Sequence, residues 1–259
     1  MQPNGITIER EDAILAITLC RPPVNALDGE MAAAIDAALD EAGPASELRI
    51  LVFRSNQKVF SAGGDIALMS RLFETEDGPG VFIETVVRPL QQLFHRVENA
   101  PFITVAEISG HALGGGLELA LSCDYRIVAD EAKLGLVEVH LGLLAAAGGT
   151  QRLTRLLGSA MAKRLIFRGE TVFGRDAVAL GLAQWSRPQA DLQAFTDGII
   201  KEVASLPKAA LGASKHCIDA AMDPAVDGFE EEIIRSEHLY GDPETIRLIG
   251  EFLKKNRCG

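Results

Sequence analysis

The order of apolar and polar positions predicts two β-strands, a helix and a third strand at the start of the chain. Residues 6–8 and 14–19 alternate as half-buried strands do, and residues 49–54 form a mainly apolar run. A helix is predicted over residues 29–42, because Asp28 can cap its first turn. The apolar face of this helix recurs at four-residue spacing, at Met31, Ile35 and Leu39.

Strands and helices continue to alternate through the middle of the chain. The next predicted elements are a strand, glycine turn and helix over 59–69, a loop over 74–80, and a helix over 81–99 that Pro89 can kink. They are followed by a strand over 102–108, a helix over 117–123, a strand over 125–129, a loop from 133 that carries Glu138, and a helix over 150–157. This alternation implies an α/β core.

The last part of the chain has a different pattern. From about Asp191 onward the sequence predicts helices, because its apolar residues recur with helical periodicity. It is interrupted by prolines, at Pro207, Pro224 and Pro243. We therefore expect an α/β core over residues 1–190 and a C-terminal helical region over 191–259.

The composition and net charge of the chain limit the kinds of molecule that it is expected to bind. Of the 259 residues, 47% are hydrophobic, which is enough for a large core. The formal net charge of −11 argues against nucleic acid or an anionic membrane as the main partner. An anionic substrate would therefore have to be bound by local donors.

The cysteines and the apolar runs indicate a cytoplasmic protein. The four cysteines form no close pair and have no metal-type spacing; they are Cys20, Cys123, Cys217 and Cys258. Scattered cysteines suit a reducing compartment. The first residues do not resemble a signal peptide, and no uncharged apolar run reaches the roughly 18 residues of a membrane span. We expect no membrane association and no metal site.

The strongest chemical signal lies between residues 102 and 158, where Glu118 and Glu138 stand in otherwise apolar sequence. Three glycines, 114–116, separate the strand over 102–108 from the helix that carries Glu118. Because the first amides of a helix have no internal partner, the amides near this turn are free donors for a developing oxyanion. Helical spacing from the glycines places Glu118 on the same face as those donors.

Glu118 has two possible roles. Its neighbours in sequence are apolar, so its pKa is expected to be raised, which is typical of a general acid or base. It could instead be a structural carboxylate that is paired with a cation or hydrogen-bonded.

A second glycine turn, Gly63-Gly64, also joins an apolar stretch to a predicted helix. Its amides form a second donor set, and two such sets could converge on one carbonyl oxygen. The alternative is that Asp65 only caps the helix and the glycines only form a turn.

Four segments resemble the crotonase superfamily, the enoyl-CoA hydratase and isomerase group. They are RPPVNAL (21–27), VFSAGGDI (59–66), GHALGGGLELALSCDYRIV (110–128) and EVHLGLLAAAGGTQRL (138–153). The resemblance runs nearly the whole length of the chain. It implies a crotonase-like spiral of ββα units whose C-terminal helices help to form homotrimers, often paired into hexamers.

The resemblance also implies the site and its chemistry. The substrate would be an acyl-CoA thioester, its oxygen bound by the amides of Gly64 and Gly115, with Glu118 and Glu138 flanking the double bond. Residues near these groups would contact the substrate: Ala62, Gly63, Asp65, Ile66, Ala146 and Lys255. Having both glutamates is the hydratase pattern, with Glu118 mainly activating water and Glu138 mainly protonating C2. No cofactor is expected, since coenzyme A is part of the substrate.

Three departures from the family pattern leave other activities open. Val137 replaces a usual proline, Ala145-Ala146 replaces a usual Pro-Gly beside the catalytic water, and Ala67 replaces a common lysine. Lys255 could equally be a solvated surface charge. Besides hydration, the sequence is compatible with double-bond isomerisation by one glutamate, or with a weakly catalytic CoA-binding protein. Nucleotide binding is disfavoured because the glycines do not match G-x-G-x-x-G.

Overall fold

A computed structural model describes residues 5–42 and 47–255 of the chain. Residues 1–4 and Cys258, to which some of the expectations above refer, lie outside this part. The main sheet has the order β1-β2-β3-β4-β6-β9. With strands numbered in chain order, these are Ile6–Glu11, Ile14–Leu19, Ile50–Ser55, Ile103–Ile108, Tyr125–Ala129 and Trp185–Arg187. Only the β1–β2 pair within this sheet is antiparallel, so crossover helices connect its remaining strands.

A smaller sheet lies beside the main one. Its order is β5-β7-β8, formed by Ala112–Leu113, Lys133–Gly135 and Val172–Phe173. The helices before the C-terminal region are α1 (Gly29–Ala42), α2 (Ile66–Leu72), α3 (Gly78–Phe82), α4 (Arg88–Glu98), α5 (Gly115–Leu121), α6 (Gly149–Arg168) and α7 (Gly174–Leu180). The predicted α/β architecture is confirmed.

The first predicted helix forms as its sequence indicates. Asp28 Oδ1 accepts a 2.8 Å hydrogen bond from the Met31 amide and so caps α1. Its predicted apolar face is buried in the core, at Met31, Ile35 and Leu39. The first two strands and β3 also lie where the alternation predicts them, within a few residues.

The predicted helix over 81–99 is interrupted by a π-helical turn, Ile83–Val87, rather than by a simple kink. Pro89, in the first turn of α4, has no N–H to offer the carbonyl four residues earlier, that of Thr85. Gly29 packs against that carbonyl, since a Cβ at residue 29 would lie 2.1 Å from the Thr85 oxygen. The helical region also begins earlier than predicted, because α3 starts at Gly78, within the residues 74–80 that are expected to form a loop.

Two further expectations were wrong in detail. Residues 59–61 form no strand, only an isolated bridge between Ser61 and Ala112. Lys133–Gly135 is a strand rather than a loop. The predicted helix over 150–157 is confirmed, since the backbone leaves the helical conformation at Gly158 (φ 76°, ψ 158°); a second helical segment, which was not predicted, follows this kink and continues α6 to Arg168.

The C-terminal region is helical, as expected. Its helices are α8 (Gln189–Ala204), α9 (Lys208–Ala220), α10 (Gly228–Tyr240) and α11 (Pro243–Lys255). The first of them packs on the main sheet, and α9 is joined to it by an ion pair between Lys215 and Asp124. The division at residue 190 stays a prediction. None of the helices in residues 5–42 and 47–255 combines the length and hydrophobicity needed to cross a lipid bilayer.

Candidate active site

Helix α5 brings Glu118 into the core of the protein. Every residue of this helix is buried, and Glu118 itself is 4% exposed. The helix begins after Gly114, whose φ of 51° and ψ of −126° are accessible mainly to glycine. The turn at Gly114 therefore reverses the chain between β5 and α5 and directs the first turn of the helix toward Gly63 and Gly64.

The side chain of Glu118 is bound by the loop that precedes α6. Its Oε1 accepts a 2.8 Å hydrogen bond from the amide of Gly149. Burial is the main cause that raises the pKa of Glu118, and the negative charge of Glu138 also raises it, while hydrogen bonds from the amides of Gly149 and Ala147 and the charge of Arg152 lower it, so that the pKa lies at about 7. Near neutral pH this carboxyl group can therefore both give and take a proton.

Glu138 is the first residue of a short 3₁₀ helix, Glu138–Leu141, which lies near Gly114. A Cβ added at Gly114 would lie 3.1 Å from Glu138 Oε1, so the glycine turn is in contact with this carboxylate. Glu138 Oε2 is buried and has no hydrogen-bond partner within the described part of the chain. Burial also raises the pKa of Glu138. The charge of Glu138 raises the pKa of Glu118, so the two carboxyl groups lie within electrostatic range of each other.

The amides of Gly64 and Gly115 lie close together. Gly64 forms a parallel bridge with Leu27 in which the carbonyl of Gly63 and the amide of Asp65 make the two hydrogen bonds. The amide of Gly64 therefore points away from Leu27. Gly115 is the first residue of α5, so its amide has no partner inside the helix.

Contact distances show how close these two backbones are. A Cβ at Gly115 would lie 3.5 Å from the Gly64 nitrogen, and a Cβ at Gly63 would lie 3.1 Å from the Gly115 nitrogen. Within residues 5–42 and 47–255, neither the Gly64 nor the Gly115 amide donates to another protein group. The pair can therefore donate to one oxygen of a ligand.

The other residues that are expected to contact the substrate near Gly64 differ in their surroundings. Asp65 caps α2, accepting a 2.8 Å hydrogen bond from the Leu68 amide, which agrees with the alternative that it is a capping residue. Gly63 is buried with φ 99°. Ala62 and Ile66 are exposed next to it, so they are free to contact a bound molecule.

The segment where the family pattern is altered lies beside Glu118. Ala145 is buried and Ala146 is half-buried, and neither has a positive φ. The carbonyl of Ala146 accepts a 3.0 Å hydrogen bond from Gln91 of α4. Val137 directly precedes the 3₁₀ helix with φ −102°. Lys255, at the end of α11, is exposed.

Several residues of the site were not identified from the sequence. The hydrogen bond from Gly149 was missed because 31 residues separate it from Glu118. Arg152 and Glu98, which lie behind the same loop, were also missed. The sequence holds no distinctive signal for Arg152, since α6 carries several other basic residues and the partner on α4 is distant in sequence.

Comparisons with known proteins show the family to which the chain is related. A family model described as enoyl-CoA hydratase/isomerase matches residues 9–236. The chain is 33% identical to the short-chain-enoyl-CoA hydratase of Clostridium acetobutylicum, with 90% of this chain and 88% of that protein covered. It is 38% identical to a probable enoyl-CoA hydratase of Bacillus subtilis, over 69% and 67% of the two chains.

Comparison with solved structures also identifies enoyl-CoA hydratases as similar proteins. The crystal structure of an enoyl-CoA hydratase from Geobacillus kaustophilus superposes with a TM-score of 0.91 at 30% identity, covering 98% of this chain and 96% of that one. The chain belongs to the enoyl-CoA hydratase/isomerase family of the crotonase superfamily. It is therefore a crotonase-fold protein, as the sequence resemblance implied, and the family acts on acyl-CoA substrates.

Proposed function

We propose that the protein hydrates 2-enoyl-CoA thioesters to 3-hydroxyacyl-CoA. The observation that supports the proposal is the pair Glu118 and Glu138, two carboxyl groups with raised pKa whose charges interact, together with the neighbouring amides of Gly64 and Gly115. Hydration needs one base and one acid near a single double bond, and a stabilised oxygen on the thioester. This arrangement supplies all of these from the protein itself.

The two glutamates divide the proton transfers. In its ionised form Glu118 takes a proton from water as the water oxygen bonds to C3, and protonated Glu138 gives a proton to C2. Mutual repulsion favours a state in which the pair carries one proton, and this division requires the form of that state in which the proton lies on Glu138. After turnover the proton lies on Glu118, and exchange with solvent restores the starting state. The unpaired, buried Oε2 of Glu138 supports its direct contact with the reacting atoms.

The amides of Gly64 and Gly115 stabilise the intermediate. As water adds at C3, negative charge moves to the thioester oxygen to form an enolate. Two amides that are fixed before the reaction stabilise this charge, and loss of one such donor costs about 3 kcal/mol in typical cases. The exposed Ala62 and Ile66, together with Gly63, lie where they can contact the thioester end of the substrate.

The surface of the C-terminal helices supports a homo-oligomer. Large apolar side chains are exposed there, and Phe229 of α10 is 84% and Tyr240 73% accessible. Such exposure is typical of an interface. We therefore include a homotrimer, or a hexamer of two trimers, in the proposal, with Lys255 available to reach the CoA of its own or a neighbouring subunit. Light scattering on the purified protein measures this directly, and a monomer would contradict it.

The test of function is an assay of crotonyl-CoA and longer 2-enoyl-CoAs with the wild type, Glu118→Gln and Glu138→Gln. We expect both variants to lose hydration by several orders of magnitude while still binding the CoA ester. Glu107→Gln is the matched control: Glu107 is another buried glutamate with a raised pKa, but it contacts Arg54. Hydration at the wild-type rate by either variant of the pair would refute the assignment.

The same assay separates hydration from the other activities of the family. Movement of the double bond of a 3-enoyl-CoA without addition of water would instead indicate an isomerase that uses a single glutamate. The altered segment Ala145-Ala146 keeps a weakly catalytic CoA-binding protein open, because it stands where the catalytic water is expected beside Glu118. Tight binding of acyl-CoA with no turnover at any chain length would indicate a binding protein.

A further inference from the structure

The loop that binds Glu118 is itself fixed from behind by Arg152. This arginine follows the loop in the first turn of α6 and is 7% exposed. Its Nη1 donates a 3.0 Å hydrogen bond to the carbonyl of Ala147. The residue after that carbonyl, Gly148, has φ 107°, and a Cβ there would lie 2.1 Å from Arg152 Nη1. The loop thus lies between the guanidinium on one side and Glu118 on the other.

The guanidinium is anchored by Glu98, at the end of α4. Arg152 Nε and Nη2 donate to Glu98 Oε2 at 3.1 and 2.8 Å. Both edges of the planar guanidinium are therefore used, one for the carboxylate and one for the loop carbonyl. Gln91 of the same helix donates to the carbonyl of Ala146, so α4 supports the loop directly at Gln91 and, about two turns further along, through Arg152 at Glu98.

These contacts do more than stabilise the fold, because the amides of the loop point at Glu118. Resting on the proposed function, we infer that Arg152, anchored by Glu98, is a positioning residue that orients the amides of Ala147 and Gly149 toward the catalytic carboxylate. Arg152 does not touch the substrate region. It acts through the loop, which also contains the altered Ala145-Ala146 segment beside the expected catalytic water.

Electrostatics give this arrangement a consequence that can be measured. The charged groups that face Glu118 are Glu138, which raises its pKa, and Arg152, which lowers it; Glu98 partly offsets the charge of Arg152. Loss of the guanidinium removes a positive charge and loosens two amide donors, and both changes disfavour the ionised form of Glu118. The acid limb of the pH profile should therefore move to higher pH.

The experiment compares hydration of crotonyl-CoA by the wild type, Arg152→Gln, Glu98→Gln and Arg155→Gln as a function of pH. Arg155 is the matched control, because it lies one turn further along α6, is exposed, and comes only within 3.9 Å of Glu98 without contacting the loop. We expect Arg152→Gln to lower kcat by roughly 10- to 100-fold with little change in KM. Its acid limb in kcat/KM should lie at higher pH than that of Arg155→Gln.

Two further variants separate the roles of charge and geometry. Arg152→Lys keeps the positive charge but lacks the planar guanidinium that donates along two edges, so we expect the pH limb to stay near the wild-type position and kcat to be intermediate. Glu98→Gln leaves an uncharged acceptor for the guanidinium and should lower kcat less than Arg152→Gln does. Glu98 is partly exposed, so this variant keeps the test decisive if Arg152→Gln does not fold.

The outcomes separate this inference from the proposed function. If the wild type does not hydrate any 2-enoyl-CoA, the proposed function fails. If the wild type is active while Arg152→Gln and Glu98→Gln match Arg155→Gln in kcat and in pH profile, the positioning role is refuted. A lower melting temperature with an unchanged pH limb and kcat would show that the contact serves only stability.

Discussion

The amide of Gly149 and Oε1 of Glu118 are 2.8 Å apart, although 31 residues separate them in the chain. This hydrogen bond joins the start of α6 to the middle of α5, and it gives a buried carboxylate one of its few polar partners. A hydrogen bond to the charged form of a carboxylate lowers its pKa, whereas burial raises it. The balance leaves the pKa of Glu118 at about 7, and the first two predictions follow from that balance.

The first prediction concerns the pH dependence of hydration. If Glu118 acts as the base, kcat/KM should fall as the pH decreases through about 7, because protonation removes the form that accepts a proton from water. An ordinary exposed glutamate would place this limb near pH 4.5. Initial rates on crotonyl-CoA between pH 5 and 9 measure it, and an activity that stays constant down to pH 5 would contradict the assignment.

The second prediction is that Glu118→Gln stabilises the protein at alkaline pH. Glu118 has a folded-state pKa above its unfolded value of 4.5, so the wild type loses stability as the pH rises from about 4.5 to about 7. The glutamine is never charged and can still accept from Gly149. The stability gain over the wild type should reach about 3 kcal/mol above pH 7 and vanish near pH 4.

Thermal or denaturant unfolding of both proteins at pH 4.5 and pH 8 checks this second prediction. A gain that is the same at both pH values would mean that the effect comes from packing rather than from ionisation. Glu107→Gln is less suitable here as a control, because Arg54 lies 3.3 Å from Glu107 and would lose a charged partner.

Much of the fold could be predicted because its signals are local. The alternation in β2, the cap at Asp28 and the glycines before α5 each act within a few residues of the element that they specify. The segment from 172 to 187 was not assigned. It contains two strands of two and three residues around α7, and strands this short have too few positions to show a period.

The candidate site could be predicted only in part, for a related reason. Glu118 and Gly115 stand together in one turn of sequence, so local reasoning reaches both. The contact of Arg152 with Glu98 joins helices that are 54 residues apart, and no periodicity records it. For Asp65 the sequence signal is local but ambiguous, because its position fits either a helix cap or a ligand contact. The 2.8 Å hydrogen bond from the Leu68 amide identifies it as a cap.

The third prediction tests the ion pair that joins the C-terminal helices to the main sheet. Lys215 of α9 is 8% exposed and donates to Asp124 Oδ2 at 2.9 Å and to the Phe102 carbonyl at 3.3 Å. Lys215→Ala leaves these acceptors without a cation and should lower the free energy of unfolding by about 3 kcal/mol. Denaturant unfolding measures the loss, with Lys201→Ala on the exposed face of α8 as the control. Equal stability of the two variants would show that the ion pair is dispensable.

The fourth prediction tests the amide pair through Gly115→Ala. A Cβ at residue 115 would make ordinary contacts, 3.4 Å from Leu27 and 3.5 Å from the Gly64 nitrogen, so the variant should fold. The added methyl group would nevertheless stand beside both donors, where the thioester oxygen must bind, and should lower kcat about 100-fold. Gly198→Ala makes the same change in α8, where a Cβ meets nothing, and should leave kcat unchanged. If Gly115→Ala hydrated crotonyl-CoA as fast as Gly198→Ala, the thioester oxygen could not lie between the amides of Gly64 and Gly115.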